Sequence, residues 1–264
     1  MIRLLLALAI LLNCATGAAA DFSWPAKGKK AAIVLTYDDA LRSQLDFAVP
    51  QLEAANLRGT FFLDGDISPD DMLRWRKVAA SGHELGNHSM FHPCPRAMLP
   101  DRRNYLTDNY DAARMVEEIA SMNNVLFGID GKRTRTYSVP CSQTLVGAGE
   151  DYTDTLRRTG QIRFVRTGGD QWNSVITDFS KLDLHKVPSY GPVNKPGPDE
   201  LIAYAERVRA AGGLGVFQFH GVGGDYLEVT AEAHQALVHY LRAHPDIWVG
   251  TFQEVLDYVK AQSR

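Results

Sequence analysis

The chain has few cysteines, no excess of basic charge and no apolar run long enough to cross a bilayer. Each shortage removes a class of function. Its three cysteines, Cys14, Cys94 and Cys141, are too few and too far apart for a metal knuckle. The 28 Lys and Arg residues are outnumbered by 31 Asp and Glu, for a formal net charge of −3, and no basic stripe is available for nucleic acid. The one strongly apolar stretch, Leu4 to Leu12, is too short to span a membrane, so no transmembrane segment is expected. Internal repeats and low-complexity segments are also missing.

What is there begins with an export signal. Arg3, the apolar stretch and the small residues Ala18-Ala19-Ala20 before Asp21 have the layout of a secretory signal over residues 1–20, so the mature chain is expected to be secreted or periplasmic. Leu11-Leu12-Asn13-Cys14 gives a weaker reading as a lipoprotein site, because Asn13 stands where a small residue is wanted. Residues 21–264 then form one undivided domain. Strand-like runs at Ala31–Tyr37, Gly59–Leu63, the segment before His88, Thr134–Val139, Ile162–Arg166, Leu182–Val187, Leu214–His220 and Ile247–Thr251 alternate with helical segments. The helices are expected near Ser43–Ala55, after Ser68-Pro69 as far as Gly82, from about Asp108 to Phe127, and at Asp199–Ala211 and Thr230–Ala243, with Ser68 as a cap and Pro69 in the first turn. Such alternation indicates an α/β fold with a parallel sheet, and the length suits a barrel.

The chemistry-bearing residues fall at the C-terminal ends of these strands, where barrels place their sites. Asp38 and Asp39 close the first strand. Adjacent strand residues point to opposite faces, so they cannot face each other as a glycosidase pair does and must have different jobs. If the chain turns at Asp39, one carboxylate can bind a metal and the other can reach the metal's water. His88 and His92 precede Pro93 and Pro95, and four-residue spacing on a single helical turn would bring both rings to one ion. Two imidazoles and one carboxylate with an open position describe a catalytic zinc-type site, the bland alternative being two loop histidines. His220 ends an apolar strand and is either a satisfied core histidine or a general acid facing that water. His234, His239 and His244 are five apart, share no helical face and read as solvated, and His83 reads as structural. His185 could point into the same cavity.

These groups, read as Thr36-Tyr37-Asp38-Asp39-Ala40, His88-Ser89-Met90-Phe91-His92, Ser138-Val139-Pro140-Cys141 and Phe219-His220, resemble in order the polysaccharide deacetylases with a NodB homology domain. The resemblance covers nearly the whole mature chain. Its third signature, R-x-P-Y, is kept only at Pro140. It implies a distorted (β/α) barrel of about seven strands and a hydrolase that removes N- or O-acetyl groups from a polysaccharide or oligosaccharide. It further implies one divalent metal ion, zinc with cobalt or nickel as alternatives, held by Asp39, His88 and His92. Asp38 would be the base and His220 the acid, with Ser89 steadying the histidine turn and the backbone N–H of Cys141, after Pro140, donating to the oxyanion. In the family's geometry the loops of Cys94 and Cys141 border one cavity, which implies a disulfide between them.

The departures raise questions for the structure. Tyr37 and Ala40 replace a Phe and a Gly, Cys141 replaces a Tyr, and Ser138 replaces the arginine that braces the base. Arg166, at the C-terminal end of its strand, is either a substitute brace for Asp38 or a surface arginine paired with a nearby acid. Trp172 is a candidate sugar-stacking wall, or plain packing, and Asp170 is a candidate partner for His220. Two rival functions also stand: a carbohydrate-binding relative weakened in catalysis, and a hydrolase of a non-sugar amide. The partner expected is an acetylated glycan, chosen by loops at residues 93–105 and 167–178.

Overall fold

Strand β1 (Ala31–Asp38) is the spine of the molecule in the computed structural model, which describes residues 22–25, 28–99 and 104–262. The expected signal segment and Cys14 lie outside the described residues. All eight residues of β1 are buried. Ala31, Ile33, Leu35 and Tyr37 pack outward against helix residues such as Leu52, Tyr204 and Leu237. Ala32 and Val34 pack on the other face against Phe62, Val216 and Phe252. The two-residue period of a strand therefore sends Thr36 and Asp38 to the inner face, beside Val34.

Around β1 run β2 (Thr60–Leu63), β3 (Glu84–Asn87), β4 (Tyr137–Ser138), β5 (Leu145–Val146), β6 (Glu150–Asp151), β7 (Val165–Arg166), β8 (Leu214–Phe219) and β9 (Ile247–Gly250). Seven of these form one sheet in the order β7-β4-β3-β2-β1-β8, with β9 also on β1, while β5 and β6 make a small antiparallel hairpin. All pairs of the large sheet are parallel. The helices are α1 (Val49–Ala54), α2 (Pro69–Ala80), α3 (Ala112–Asp130), α4 (Tyr152–Thr159), α5 (Pro198–Ala211), α6 (Ala231–Ala243) and α7 (Phe252–Gln262). The Oγ of Ser68 accepts from the Asp71 N–H and caps α2, with Pro69 in the first turn. The result is the expected α/β barrel of seven strands in a single domain, and no helix among the described residues is long and apolar enough to cross a membrane.

Four of the expected elements differ from the structure. Leu182–Val187 is not a strand. A turn closed by the Lys186 N–H on the Asp183 carbonyl interrupts it, and Pro188 has no N–H to extend a ladder. Instead Val187 bridges Arg166 and Tyr190 bridges Phe217, so this irregular segment joins β7 to β8 and closes the barrel. Helix α3 starts at Ala112, because Asp111 rather than Asp108 caps it, and it runs on to Gly131 with φ 72°. Residues 107–109 form a separate 3-10 turn. The strands foreseen at Thr134–Val139 and Ile162–Arg166 shrink to two residues each at their C-terminal ends.

Candidate active site

The chain leaves β1 through two consecutive left-handed residues, Asp39 (φ 74°) and Ala40 (φ 53°). Outside glycine this conformation is uncommon and costs about 1–2 kcal/mol per residue. It turns the Asp39 carboxylate back over the barrel mouth while Asp38 stays on the inner face, so two neighbouring aspartates acquire different surroundings. The Asp39 N–H is anchored on the Phe62 carbonyl at 3.1 Å.

The histidine pair is not on a helical turn. His88 follows β3 directly, and the next residues form an irregular loop with Ser89 (φ 64°) and His92 (φ 48°) left-handed. Asn87 Oδ1 accepts from the Ser89 N–H at 2.7 Å, and Ser89 Oγ accepts from the His92 N–H at 3.1 Å. These local side-chain bonds take the place of helix hydrogen bonds, yet the rings still meet, with centroids 4.7 Å apart.

Asp39 Oδ1 lies 3.2 Å from His88 Nε2 and 3.2 Å from His92 Nε2. It is buried without a hydrogen-bond donor, whereas Oδ2 accepts from the Tyr226 hydroxyl at 2.7 Å. His88 Nδ1 sits 2.8 Å from the Ser138 carbonyl, which can only accept, so the ring's proton belongs there and the lone pair of Nε2 faces Asp39. The three donor atoms lie within 4.8 Å of one another, and an orphaned carboxylate oxygen among them fits a divalent cation. Without a cation, a proton does its work. Burial opposes charge on His88, but the carboxylates of Asp38 and Asp39 raise its pKa to about 9. Burial alone would lift Asp39; its contacts with His88 and His92 instead bring it well below the usual carboxylate range.

Asp38 is completely buried and held by three side chains. Arg166, also completely buried, donates to Oδ2 and to the Ser138 hydroxyl, and its other arm reaches Ser189 Oγ at 3.0 Å. Gln218 Nε2 donates to Oδ2 at 3.2 Å, and Ser138 Oγ donates to Oδ1 at 3.3 Å. Arg166 is therefore no surface arginine. His220 Nε2 lies 3.8 Å from Asp39 Oδ2, and burial lowers its pKa.

Asp38, Asp39, His88, His92, Cys141 and His220 line one cavity of about 620 Å³. Cys141 follows the buried Pro140 in a 3-10 turn and is itself left-handed at φ 52°. Its sulfur is bonded to that of Cys94, with Cα atoms 5.8 Å apart.

Other candidates lie elsewhere. Trp172 is an exposed ring covered by the Arg207 guanidinium, and Asp170 accepts from the Trp172 and Asn173 backbone rather than from His220. Its own turn uses up its carboxylate. His185 lines a separate cavity with Arg157 and Lys260. His234 is not solvated: it is fully buried between the Tyr37 hydroxyl at 2.7 Å and Gln51 Oε1 at 2.6 Å. Sequence reasoning missed Gln218, Tyr226 and Asp64. Gln218 is the only amide in the apolar run of β8 and lies two residues before His220, on the same face. Asp64 follows the buried β2 and lines the cavity, where burial and the Asp39 carboxylate push its pKa up to about 6. Nothing local marks Tyr226.

A parallel barrel with an Asp-His-His cluster and a braced second aspartate at its C-terminal rim defines a recognisable class of α/β protein. The polysaccharide deacetylase family model matches residues 26–160, and the chain belongs to that family. It is 23% identical to the peptidoglycan-N-acetylmuramic acid deacetylase PdaA of Bacillus subtilis over 206 residues, 78% of this chain and 65% of PdaA, so it spans just under two thirds of that relative. Among solved structures, a Mycobacterium smegmatis protein assigned to the polysaccharide deacetylases superposes with a TM-score of 0.62 at 18% identity, covering 91% of this chain and 93% of the other. A CE4 family pseudoenzyme from Bacillus anthracis superposes at 0.56 with 17% identity, covering 87% and 66%. Likeness at this level concerns the fold.

Proposed function

We propose that this protein is a metal-dependent deacetylase that hydrolyses N- or O-acetyl groups on an exported or cell-surface glycan. The observation that carries the reading is the convergence of Asp39 Oδ1, His88 Nε2 and His92 Nε2 within 4.8 Å of one another. Asp38 Oδ2 lies 3.9 Å from His88 Nε2, and His220 Nε2 lies 3.8 Å from Asp39 Oδ2. Asp39, His88 and His92 would hold the ion, and one carboxylate with two imidazoles is a donor set for zinc, which cobalt or nickel could also occupy. A divalent ion there supplies Lewis-acid polarisation of the acetyl carbonyl and a more acidic water.

The protein's own groups do the rest. Asp38, with Arg166 and Gln218 on Oδ2, is held in one orientation and accepts the proton of the attacking water on Oδ1, where only the longer Ser138 bond competes. The Cys141 N–H donates to the developing oxyanion, and the disulfide fixes the loop that presents it. His220 then delivers a proton to the leaving amine or alcohol. Burial favours its neutral form in the free protein, so the proton it delivers must be taken up first.

The weakened-relative reading drew on the loss of the family arginine at Ser138. The guanidinium of Arg166 beside Asp38 speaks against it.

The test is release of acetate from a panel of acetylated oligosaccharides, peptidoglycan fragments included. Acetate is expected from at least one and should cease on exhaustive chelation and return with added metal. Undiminished release from protein shown by metal analysis to be empty would sink the mechanism.

A further inference from the structure

His92 has two faces. Its Nε2 turns toward Asp39 at 3.2 Å, and its Nδ1 turns toward Cys94 Sγ at 3.5 Å. On that second side His92, Cys94 and Cys141 place one nitrogen and two sulfurs within 4.8 Å of one another. While the sulfurs are joined they offer no thiolate. We propose that reduction of the Cys94–Cys141 bond opens a second metal site, His92 Nδ1 with the two thiolates, which takes a soft divalent ion and competes with the Asp39 cluster for the same imidazole.

The chemistry balances with a reductant of the dithiol class. Its two thiols become a disulfide, the Cys94–Cys141 bond breaks, and both cysteines gain a proton. An ion then displaces those two protons and binds two thiolates and one neutral imidazole, leaving a fourth position open. Little movement is needed. Zinc–sulfur bonds of about 2.3 Å at a tetrahedral angle set the sulfurs roughly 3.8 Å apart, against about 2 Å in any disulfide, so each shifts by about 1 Å. The Cα atoms, 5.8 Å apart, already allow it. Both loops are pinned independently: Cys94 exchanges backbone hydrogen bonds with Tyr105 and Thr107, and the Cys141 turn is closed by the Ser142 N–H on the Val139 carbonyl.

The competition has a direction. Two thiolates and an imidazole are softer donors than a carboxylate and two imidazoles, and they favour zinc, cadmium and cobalt(II) as thiolate complexes. The dithiol chain would therefore divert an ion from the Asp39 cluster, and closing the disulfide would return His92 to it.

The experiment needs no turnover and so stands or falls apart from deacetylase activity. Metal-free protein is titrated with cobalt(II), once oxidised and once reduced by a trialkylphosphine, which becomes the phosphine oxide with one water per bond cleaved. The reduced protein should develop a thiolate-to-cobalt charge-transfer band complete at one equivalent, and the oxidised protein should not. Cys94→Ser should abolish the band. His92→Gln should keep it but weaken binding by about tenfold or more, as for loss of one ligand. Three results would overturn the proposal: no band in reduced protein that keeps its near-ultraviolet circular dichroism, a band indifferent to His92→Gln, or loss of that dichroism on reduction, since the site needs both loops in place.

Discussion

The two ends of the barrel both bury charge, and they do it differently. At the N-terminal end, Glu84 at the start of β3 gives each carboxylate oxygen a donor: Thr136 Oγ1 on one, Thr60 Oγ1 and the Gln253 N–H, both at 2.9 Å, on the other. Close by, the guanidinium of Arg135 grips both oxygens of Asp130. At the C-terminal end Asp39 keeps one buried oxygen with no donor, facing two ring nitrogens. The histidines repeat the contrast. His83, at the quiet end, accepts from the Gly59 N–H, and its burial lowers its pKa to about 4. His88, equally buried but beside Asp38 and Asp39, is raised to about 9. Burial is common to both ends; what separates them is that every carboxylate oxygen of Glu84 and Asp130 has a donor, while Asp39 Oδ1 has none.

The contrast is sharpest if variants at the two ends damage different properties. At the reactive end, Asp38→Asn and His220→Ala should keep bound metal and lose about 10²- to 10⁴-fold in acetate release, while His88→Ala should lose both. Rates alongside metal analysis decide this. An Asp38→Asn protein that works normally would break the assignment. At the other end, Arg135→Ala leaves Asp130 buried and unpaired, so urea unfolding should show a loss of about 3–5 kcal/mol, with turnover of the surviving folded protein unchanged.

Arg166 joins the two kinds of role, being completely buried and bonded to a proposed base. Arg166→Ala should lower turnover about 10- to 100-fold with metal retained, and Arg166→Lys should restore it only in part, because a point charge cannot serve Asp38, Ser138 and Ser189 together. Near-normal turnover in Arg166→Ala would mean that Gln218 and Ser138 suffice.

The last effect concerns acid and is spread over pH rather than tied to one substitution. His83 and His234 have folded-state pKa values lowered by burial to about 4 and about 3, against about 6.5 unfolded. Both states are neutral above that value, so their contribution to stability is complete there. As pH falls below about 6.5 the unfolded chain takes up protons that the folded chain refuses, and stability should fall by up to about 1.4 kcal/mol per pH unit for each group until its folded pKa is reached. Thermal unfolding between about pH 6.5 and pH 5, below the range in which the raised pKa of His88 adds the opposite slope, measures it. A flat profile would place these rings elsewhere.

Much of this arrangement was legible because it depends on period and position. The fall of Asp38, Asp39, His88 and His220 at strand ends and the place of Arg166 on the same rim follow from apolar runs and their order along the chain, which the sequence displays openly. What escaped depends on contacts between distant segments. Spacing of four between His88 and His92 imitates a helix, but the Ser89 hydroxyl closes the loop instead. The five-residue spacing of His234, His239 and His244 rules out a shared face, yet it cannot tell that Tyr37 and Gln51 wait for His234 alone. Tyr226 reaches Asp39 from a glycine-rich loop with no periodic signal at all. Gln218 is the exception, a polar break in an apolar strand that alternation alone places on the face of His220.

The closure of the barrel has a consequence for how the molecule fails. The ladders of the hoop differ in length: β1 and β8 share six paired positions, β4 and β7 two, and β3 and β4 one. Between β7 and β8 the chain from Val187 to Tyr190 makes one rung to each side. That seam carries Ser189, which steadies Arg166 and Gln218 together, at 3.0 and 3.1 Å. One of the thinnest joins in the hoop is thus also the one that aims Asp38. If mild heating parts that seam, a barrel still largely intact will already have lost the alignment of its base, so inactivation should run ahead of unfolding.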